Sequence, residues 1–556
     1  MSSTDSTPLP DCIMRDNLTS PYFPNTSKAG LSVVIALCAI FALTSFNRLN
    51  HTDLWGHVNF GQWMVEHRAL PAADPFAAEP SAAPMLHSAW LAQVLGYLVH
   101  AAFGNEGLAF GHALLVTATA GVLMLAASKR GIPATWAWSA GAIFFVLDLP
   151  ILGTIRPQLF GQLGAALVLL ACSILPAKKH PLVWLPMVAA LWANLHGSIL
   201  MGIAILGAYA IGTTWNLFVE HGRQLPAMLK DGRFVTIWLA LALLVAGACV
   251  GPHGPMLLVR TIFFGEHAAL SSISEWRALT PTSLTGLLMI ASGAAALGIA
   301  KTSPKKWELH EILILAAFGL ATVSAIRMLA WWSVAFAWVI LPHAVAAWAK
   351  YRQENNLPEP VADEPASMRT VLALGVVFMT ALLAPPTYAA ITGKARGEGP
   401  ITVVDTPIYV ADDIVRRGLA GPIAAPMDWA DYLVFRTDGQ LRPLVYSHVH
   451  LTERDTWKDY ESIFRGDELW MHVLQNHKMR YLLVSRQRYP QLARLVTYEN
   501  LSDSPRLRVL YQDQRCVLAE LSQAKRKPSQ PSTTPAAPAA TIEPAIIPTA
   551  TPATGR

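Results

Sequence analysis

The sequence predicts a mainly α-helical membrane protein, a polytopic bundle of about eleven spans followed by a small extracytoplasmic α/β domain. The 556-residue chain is 53% hydrophobic and only 14% charged, whereas soluble domains average about 25% charged residues. Long apolar runs alternate with short polar loops, and lysine is confined to every second loop. These observations indicate a protein that crosses the bilayer many times.

About 20 apolar residues cross a bilayer as a helix. On that basis we predict spans at 30–46, 107–127, 133–152, 157–175, 181–195, 198–218, 234–250, 282–300, 310–326, 328–348 and 369–386. The apolar stretch 88–104 is assigned to an interfacial helix. If it crossed the bilayer, every later loop would change sides and basic residues would accumulate on the wrong side.

The positions of basic residues orient this topology. Two or more basic residues occur in each of the loops predicted to be cytoplasmic, which are 128–132, 176–180, 219–233, 301–309 and 349–368. The opposite loops contain arginines but no lysine: Arg48, Arg68, Arg156, Arg260, Arg277 and Arg327. The N-terminus is therefore expected inside and the segment after residue 386 outside.

Composition divides the chain into four parts. Residues 1–29 are expected to form a polar cytoplasmic segment without a removable signal peptide, and 30–386 are expected to form the transmembrane domain with a first outer loop at 47–106. Residues 387–521 alternate short β-rich and helical pieces, which predicts an α/β domain. Its expected strands are 401–404, 443–446, 481–484, 509–511 and 516–521, and its expected helices are 407–418, 456–477 and 487–495. The Pro/Ala/Thr-rich tail 522–556 is expected to be disordered. The five cysteines lack the spacing of a disulfide framework or a zinc site.

The first outer loop carries an unusual polar stretch, Asn47 to Gly61. Apolar and polar residues separate onto two sides between 53 and 68, which predicts an amphipathic helix lying in the membrane interface. Asp53 would stand at its N-terminus, where the helix dipole favours the ionised carboxylate. Such a carboxylate can act as a general base or a metal ligand.

Four other outer loops also carry acids, imidazoles or guanidinium groups. These residues are Arg156 and Gln158, then Asn194 and His196, then His253, Glu266, His267, Glu275, Trp276 and Arg277, and finally Arg327. Helix capping or interfacial anchoring explains any single histidine. Because polar groups at membrane depth are costly, the convergence of five loops on one face predicts a functional site.

The order of these motifs carries a family resemblance. In chain order they are Asp53-Leu54-Trp55-Gly56-His57, Gly61, Pro71-Ala72-Ala73-Asp74-Pro75-Phe76, His87-Ser88-Ala89-Trp90-Leu91, Arg156-Pro157-Gln158-Leu159-Phe160, Asn194-Leu195-His196-Gly197, Glu275-Trp276 and Arg327. The pattern resembles the bacterial integral-membrane glycosyltransferases of the GT-C fold, relatives of the protein O-mannosyltransferases and of the aminoarabinose transferase that modifies lipid A. The resemblance covers roughly residues 30–520.

This resemblance implies a catalytic acid in the first outer loop, two juxtamembrane helices near 53–67 and 88–103, and a polyprenyl-phosphate sugar donor. It also implies a multi-pass protein of the bacterial inner membrane. Many such proteins have two acids spaced D-x-D, whereas this chain has His51-Thr52-Asp53. Loss of one carboxylate weakens a Mg²⁺ site, and His51 with Asp53 would suit Mn²⁺ or Zn²⁺ better. We therefore favour a metal-independent reaction, with a divalent cation as the alternative.

The expected mechanism makes Asp53 the general base that takes the proton of an attacking acceptor hydroxyl, with His57 and Glu275 as further catalytic residues. The residues expected to bind the donor phosphate are Arg156, Arg327, Arg277, His196 and His253. Those expected to contact the sugar or the acceptor are Trp55, Trp276 and Asn194. The acceptor would be an extracytoplasmic lipid, glycan or protein, and the lipid tail would lie between spans in contact with membrane lipids.

Three other classes of function remain open. A non-catalytic accessory subunit of a larger assembly is compatible with the His51 departure, with partner subunits that the sequence does not identify. A transporter or lipid flippase would place charges near the midplane and show repeats, neither of which the sequence contains. A haem protein would need facing histidine pairs within spans. No nucleic-acid partner is expected. Within the C-terminal domain, Asp428–Leu433 and 457–481 are interpreted as core rather than as glycan-binding segments.

Overall fold

A computed structural model describes residues 26–49, 53–81, 85–263, 273–358, 366–403, 405–500 and 506–522. Within these ranges the chain is mostly helical. The helices are α1 Lys28–Ser45, α2 Leu54–His67, α3 Trp90–Lys129, α4 Ala134–Leu152, α5 Gln158–Ile174, α6 Pro181–Leu195, α7 Ile199–Glu220, α8 Leu225–Leu229, α9 Gly232–Ala248, α10 Met256–Phe263, α11 Leu284–Thr302, α12 Leu309–Ser324, α13 Leu329–Glu354, α14 Ser367–Leu383, α15 Pro385–Thr392, α16 Glu398–Ile401, α17 Ile408–Arg417, α18 Met427–Arg436, α19 Arg454–Arg465, α20 Trp470–Asn476 and α21 Pro490–Asn500.

Each predicted span coincides with an apolar helix, but the count of eleven stays a prediction. By length and composition, six described helices can cross a membrane, and the bent pair of α14 and α15 makes a seventh. Four more apolar helices have between 10 and 17 residues. These are α5, α6, α9 and α12. The chain is thus a multi-pass membrane protein with helices at all the predicted positions.

Helix α3 joins the predicted interfacial helix to the first span that follows it. A break at Gly104, with φ 61° and ψ −156°, separates 90–103 from 105–129. Only glycine adopts this backbone conformation readily. The separate predictions of 88–104 and 107–127 are therefore confirmed as two helical segments with a break between them. Helix α3 packs against both α2 and α5.

The centre of the bundle is α13, whose residues from Leu329 to Leu341 are all buried. Around it, the indole of Trp192 on α6 fits against glycines of neighbouring helices. A Cβ atom at Gly164 or Gly202 would lie 2.4 or 2.6 Å from this ring. The indole nitrogen donates to Ser198 Oγ at 3.0 Å, which fixes the turn that carries His196.

A buried group of charges ties α3, α12 and α13 together. The fully buried carboxylate of Glu311 lies 2.7 Å from Arg130 Nη2, 3.0 Å from Lys305 Nζ and 2.9 Å from His343 Nε2. Trp307 stacks on the His343 ring with 3.9 Å between centroids. The basic residues that the sequence assigns to two separate loops thus share one acidic partner.

The C-terminal domain contains a five-stranded mixed sheet in the order β2-β1-β3-β5-β4. The strands are β1 Gly421–Ala424, β2 Leu441–Pro443, β3 Tyr481–Ser485, β4 Leu507–Gln512 and β5 Cys516–Leu521. β1 pairs in parallel with β2 and β3, whereas β5 is antiparallel to β3 and β4. Helices α17 to α21 belong to the same domain, as expected for an α/β unit.

One strand prediction was wrong, one strand was missed, and the predicted strand 443–446 overlaps β2 only at Pro443. Residues 401–403 form the end of α16 and a single bridge from Thr402 to Leu49, not a strand. The strand that was missed, β1, begins with Gly421 and Pro422, which are poor strand formers. The predicted helix 456–477 is divided into α19 and α20 by Gly466, which has φ 69°.

The C-terminal domain is anchored directly on α2 and α3. Trp55 of α2 is buried and stacks on Phe435 with 4.4 Å between ring centroids. Arg396 forms an ion pair of 2.7 Å with Glu106 just beyond the kink of α3. Gly56 is needed here because a Cβ atom would lie 2.2 Å from Asp431 Oδ1. These contacts set the position of the domain over the first outer loop.

Candidate functional site

A cavity of about 640 Å³ lies where the bundle meets the C-terminal domain. From the bundle, its lining residues include Asp53, His57, Arg156, Glu275, Trp276 and Arg327. Three of the outer loops predicted from the sequence therefore contribute to one cavity with the start of α2. The C-terminal domain supplies the opposite wall.

Two carboxylates and two guanidinium groups form a chain along the bundle side. Asp53 directly precedes α2, and its Oδ2 lies 2.8 Å from Arg156 Nε. Arg156 Nη1 also bonds to Glu275 Oε2, and Glu275 Oε1 lies 3.7 Å from Arg327 Nη1. Since two positive charges meet two negative charges, the chain is neutral as it stands.

Burial and charge act in opposite directions on these groups. Burial alone would raise the pKa of the Glu275 carboxyl, but Arg156 and Arg327 together hold this pKa below its usual range. Burial would lower the pKa of Arg156, and the carboxylates Asp53 and Glu275 outweigh this effect and raise it. Glu275 and Arg156 are therefore both charged at neutral pH.

An aromatic ring covers the last cation of the chain. The Arg327 guanidinium lies 4.4 Å from the centroid of the Trp276 ring. This is a cation–π distance, and both residues line the cavity. A planar guanidinium held in this way presents its N–H groups at a fixed angle, which suits two-pronged binding of an oxyanion.

His57 enters the cavity from α2 in a defined tautomer. Gln93 Nε2 lies 3.2 Å from His57 Nδ1 and 3.4 Å from His448 Nε2. Because an amide nitrogen can only donate, His57 Nδ1 and His448 Nε2 must both accept a hydrogen bond. The proton of neutral His57 is thus on Nε2. Burial, reinforced by Arg156 and His450, lowers the pKa of His57 to about 3.

This shift predicts a pH-dependent stability. The folded protein binds fewer protons at His57 than the unfolded chain does. The contribution of His57 to the free energy of unfolding is therefore fully present above about pH 6.5 and is lost as the pH falls towards 3. For His57 alone the loss by pH 5 is about 2 kcal/mol.

We expect His57→Asn to reduce the dependence of the melting temperature on pH between 7 and 5. His67→Asn, on the exposed end of the same helix, should keep the wild-type dependence. Parallel curves for wild type and His57→Asn would contradict the assignment.

His196 lies next to the chain of charges but not among the cavity-lining residues. Its Nδ1 is 2.7 Å from Ser198 Oγ. Burial and the nearby Arg327, His57 and Arg156 lower its pKa to about 3. His196 is therefore neutral, and its hydrogen bond to Ser198 holds the turn between α6 and α7.

Four other predicted site residues do not line this cavity. His253 Nε2 accepts from the His87 backbone N–H at 2.8 Å, and Asn194 Oδ1 accepts from Trp90 Nε1 at 2.7 Å. His253 thus links the loop after α9 to the residues before α3, and Asn194, on α6, links α6 to the start of α3 and donates to the Val250 carbonyl after α9. Trp55 is buried under the C-terminal domain, and the Arg277 side chain is exposed. Spacing in the sequence does not distinguish such residues from cavity residues.

The C-terminal wall was predicted only in part. The segment 457–481, which we interpreted as core, contributes lining residues, namely Trp457, Tyr460, Glu461, Phe464 and Arg465, as does Asp428 of 428–433. Sequence reasoning missed His448, His450 and Arg488, which also line the cavity. Arg488 bonds to Asp428 and to Asp405. The run Ser447-His448-Val449-His450, which places two imidazoles two residues apart in a loop, was an available signal. Trp429, in contrast, is buried as expected for core, and only the first residue of the 428–433 segment reaches the cavity.

Asp431 is a buried acid behind this wall. Its Oδ2 accepts from the Ser447 N–H at 3.1 Å, and its Oδ1 has no hydrogen-bond partner among the described residues. Burial, and then the charge of Asp53, raise the pKa of Asp431 well above its usual value. Both effects favour the protonated form of this carboxyl.

The metal expectation concerns residues that the structure only partly describes. His51 and Thr52 lie outside the described residues. Within the described ranges, no group of three or more His, Cys, Asp or Glu side chains is placed to hold a metal ion. The metal-independent reaction stays a prediction.

A second, apolar groove begins at the same place. It is lined by residues of α2, both halves of α3 and the start of α5. Two of its lining residues, His57 and Arg156, also line the cavity. The groove therefore connects the polar site with the hydrophobic side of the bundle.

No family model and no curated protein matches the sequence. Among solved structures, a crystal structure of the Archaeoglobus fulgidus oligosaccharyltransferase tethered with an acceptor peptide containing the NVT sequon aligns with 13% identity and a TM-score of 0.49. The alignment covers 82% of this chain and 69% of that one. The apo form of the same enzyme aligns with 14% identity and a TM-score of 0.48, over 82% and 70% of the two chains. At these values the likeness assigns no function, and the proposals below depend on the geometry of this chain.

Proposed function

We propose that the protein is a membrane glycosyltransferase that moves a sugar from a polyprenyl-phosphate donor to an acceptor hydroxyl on the extracytoplasmic side. The observation that carries this proposal is the chain Asp53–Arg156–Glu275–Arg327 on the wall of a cavity between a membrane domain and a polar domain. In this arrangement Asp53 would be the base, Arg156 and Arg327 would be the two cations that bind phosphate, and the cavity would hold the sugar.

The donor phosphate would bind at Arg156 and Arg327. Guanidinium groups bind phosphate in two-pronged fashion and stay charged. The phosphate would compete with Asp53 and Glu275 for these cations, because the chain is neutral before the donor arrives. Binding of the donor would therefore weaken the hold of Arg156 on Asp53.

Release from Arg156 would make Asp53 a stronger base, because the ion pair favours its charged form. Asp53 would then accept the proton of the acceptor hydroxyl as its oxygen attacks the anomeric carbon. The bond from that carbon to the phosphate oxygen breaks, and polyprenyl phosphate leaves with the electron pair. Arg156 and Arg327 stabilise the negative charge on the leaving group, which is usually the largest catalytic contribution.

The remaining groups would position the sugar. Glu275 offers carboxylate oxygens to sugar hydroxyls, and Trp276 offers an aromatic face beside Arg327. His57, with its proton fixed on Nε2, would act as a neutral hydrogen-bond donor towards the cavity. In this scheme the acceptor enters on the Asp53 side and the donor phosphate on the Arg327 side.

The test is incubation of the purified full-length protein, in native membrane lipid, with a panel of radiolabelled polyprenyl-phosphate sugars. We expect label to leave one of these donors and free polyprenyl phosphate to form. A lipid flippase would move the donor across sealed vesicles without cleaving it. An accessory subunit would leave every donor intact and in place. Either of the last two results would contradict the proposal.

A further inference from the structure

Helix α4 carries a single acidic side chain, Asp148, which the proposed reaction does not use. The residue lies within the predicted span 133–152, and its side chain is buried. A carboxyl group at membrane depth is costly and usually marks a function. Asp148 is not among the residues that line the large cavity. Any part it plays in the reaction must therefore act through other residues.

Hydrogen bonds join Asp148 to the beginnings of two other helices. Gln162 Nε2, on α5, lies 3.0 and 2.9 Å from the two carboxyl oxygens of Asp148. The same amide nitrogen donates to the Ala330 carbonyl of α13 at 3.2 Å. Ser333 Oγ, also on α13, lies 3.1 Å from Asp148 Oδ1. Since all four residues are buried, these bonds link α4, α5 and α13 out of contact with solvent.

The linked ends of α5 and α13 are the ends that carry the two arginines of the site. Arg156 stands two residues before α5, and Arg327 stands two residues before α13. The two helices approach closely here, because a Cβ atom at Gly161 would lie 2.8 Å from the Trp331 ring. The hydrogen bonds of Asp148 therefore hold together the two helix ends from which the guanidinium groups extend.

A small cavity of about 80 Å³ is shared by Asp148 and the chain of charges. Asp148 and Gln162 line it together with Arg156, Glu275 and Arg327. The buried carboxyl group thus lies next to both guanidinium groups rather than in a remote part of the bundle.

We propose that Asp148 is a positioning residue, which sets the separation of the Arg156 and Arg327 guanidinium groups and thereby the fit of the donor phosphate. This inference rests on the proposed function, which assigns both arginines to one phosphate. Two-pronged binding of a phosphate depends on geometry, and a misplacement of about 1 Å can cost about a hundredfold in rate. Without Asp148, α5 and α13 would keep their apolar contacts but lose hydrogen bonds at the ends that carry the arginines.

The first test measures the affinity of radiolabelled undecaprenyl phosphate for the full-length protein in lipid nanodiscs. In Asp148→Asn, one carboxyl oxygen becomes an amide nitrogen that faces Gln162 Nε2, and neither nitrogen can accept a hydrogen bond. We expect about tenfold weaker binding, which corresponds to about 1.4 kcal/mol. The control is Ser173→Ala, which removes the 2.9 Å hydrogen bond from Trp338 Nε1 near the opposite end of α5. It should keep the wild-type affinity.

A double variant separates positioning from a general loss of packing. With Arg327→Ala present, the separation of the two guanidinium groups no longer matters, so adding Asp148→Asn should weaken binding by less than about twofold. Unchanged affinity in Asp148→Asn alone, or a full additive loss on top of Arg327→Ala, would overturn the proposal. If Asp148→Asn does not fold, Gln162→Met removes the same link to Ala330 and takes its place in both comparisons.

The second test needs no ligand. The backbone N–H groups of Ile326 and Met328, on either side of Arg327, donate to backbone carbonyls at 3.1 and 3.0 Å. We expect these amides to exchange hydrogen faster in Asp148→Asn than in the wild type or in Ser173→Ala, because the local structure opens more often. Exchange at the wild-type rate would contradict a positioning role. If the wild type binds no undecaprenyl phosphate, the donor assignment fails, and the exchange comparison still decides the role of Asp148.

Discussion

Asp53→Asn is expected to reduce sugar transfer by about 10²–10⁴-fold, the usual contribution of a general base. Asparagine has nearly the same shape but cannot accept a proton. It also leaves Arg156 with one carboxylate partner instead of two, so donor binding should be unchanged or tighter. The measurement is initial rate and donor affinity with the radiolabelled donor that the wild type consumes.

The control for this variant lies on the same helix. Glu66→Gln removes an exposed carboxylate of α2 that does not line the cavity, and it should retain wild-type transfer. Both variants should have the wild-type melting temperature within a few degrees. If Asp53→Asn transfers sugar at the wild-type rate while folded, Asp53 has no role in the chemistry.

Glu311→Gln is expected to have the largest effect on stability, about 3–5 kcal/mol, which is typical for removal of one partner of a buried ion pair. The fully buried carboxylate serves Arg130, Lys305 and His343 together. The amide would leave the two cations without a countercharge in a place where charge is expensive. Denaturant-induced unfolding followed by tryptophan fluorescence measures the loss.

The control variant for Glu311→Gln is Glu354→Gln, at the end of α13. Glu354 is 61% exposed and lies 3.8 Å from Lys350. Exposed pairs of this kind contribute little, so its unfolding curve should overlay that of the wild type. A Glu311→Gln curve that also overlays the wild type would show that water reaches the buried charges.

Apolar periodicity predicted the helices well because membrane helices need long uninterrupted apolar runs. It also separated 88–104 from 107–127 correctly, although it could not show that the break lies at a single residue, Gly104. The strand error at 401–404 has a similar cause. A four-residue piece has too little pattern to outweigh its tertiary contacts, here the pairing of Thr402 with Leu49.

The charges of the site could be predicted by sign but not by partner. Arg156 and Arg327 stand in short loops of the bundle and Glu275 in the long segment between α9 and α11, and the predicted topology alone placed all three on one face. His253 and Asn194 satisfy the same criterion, yet their hydrogen bonds go to His87 and Trp90. The C-terminal wall depends on how the domain docks, and this is decided by close contacts such as Gly56 against Asp431, which no periodicity reports.

That docking has a consequence for how the protein can be divided. The two sides of the cavity come from segments at least a hundred residues apart, and the close approach of Gly56 to Asp431 leaves no room for a side chain at residue 56 unless Asp431 shifts. A chain cut between α15 and α17 would give two fragments, each with half a binding surface. A C-terminal domain taken from a distant relative would have to contain residues that fit against α2 of this chain.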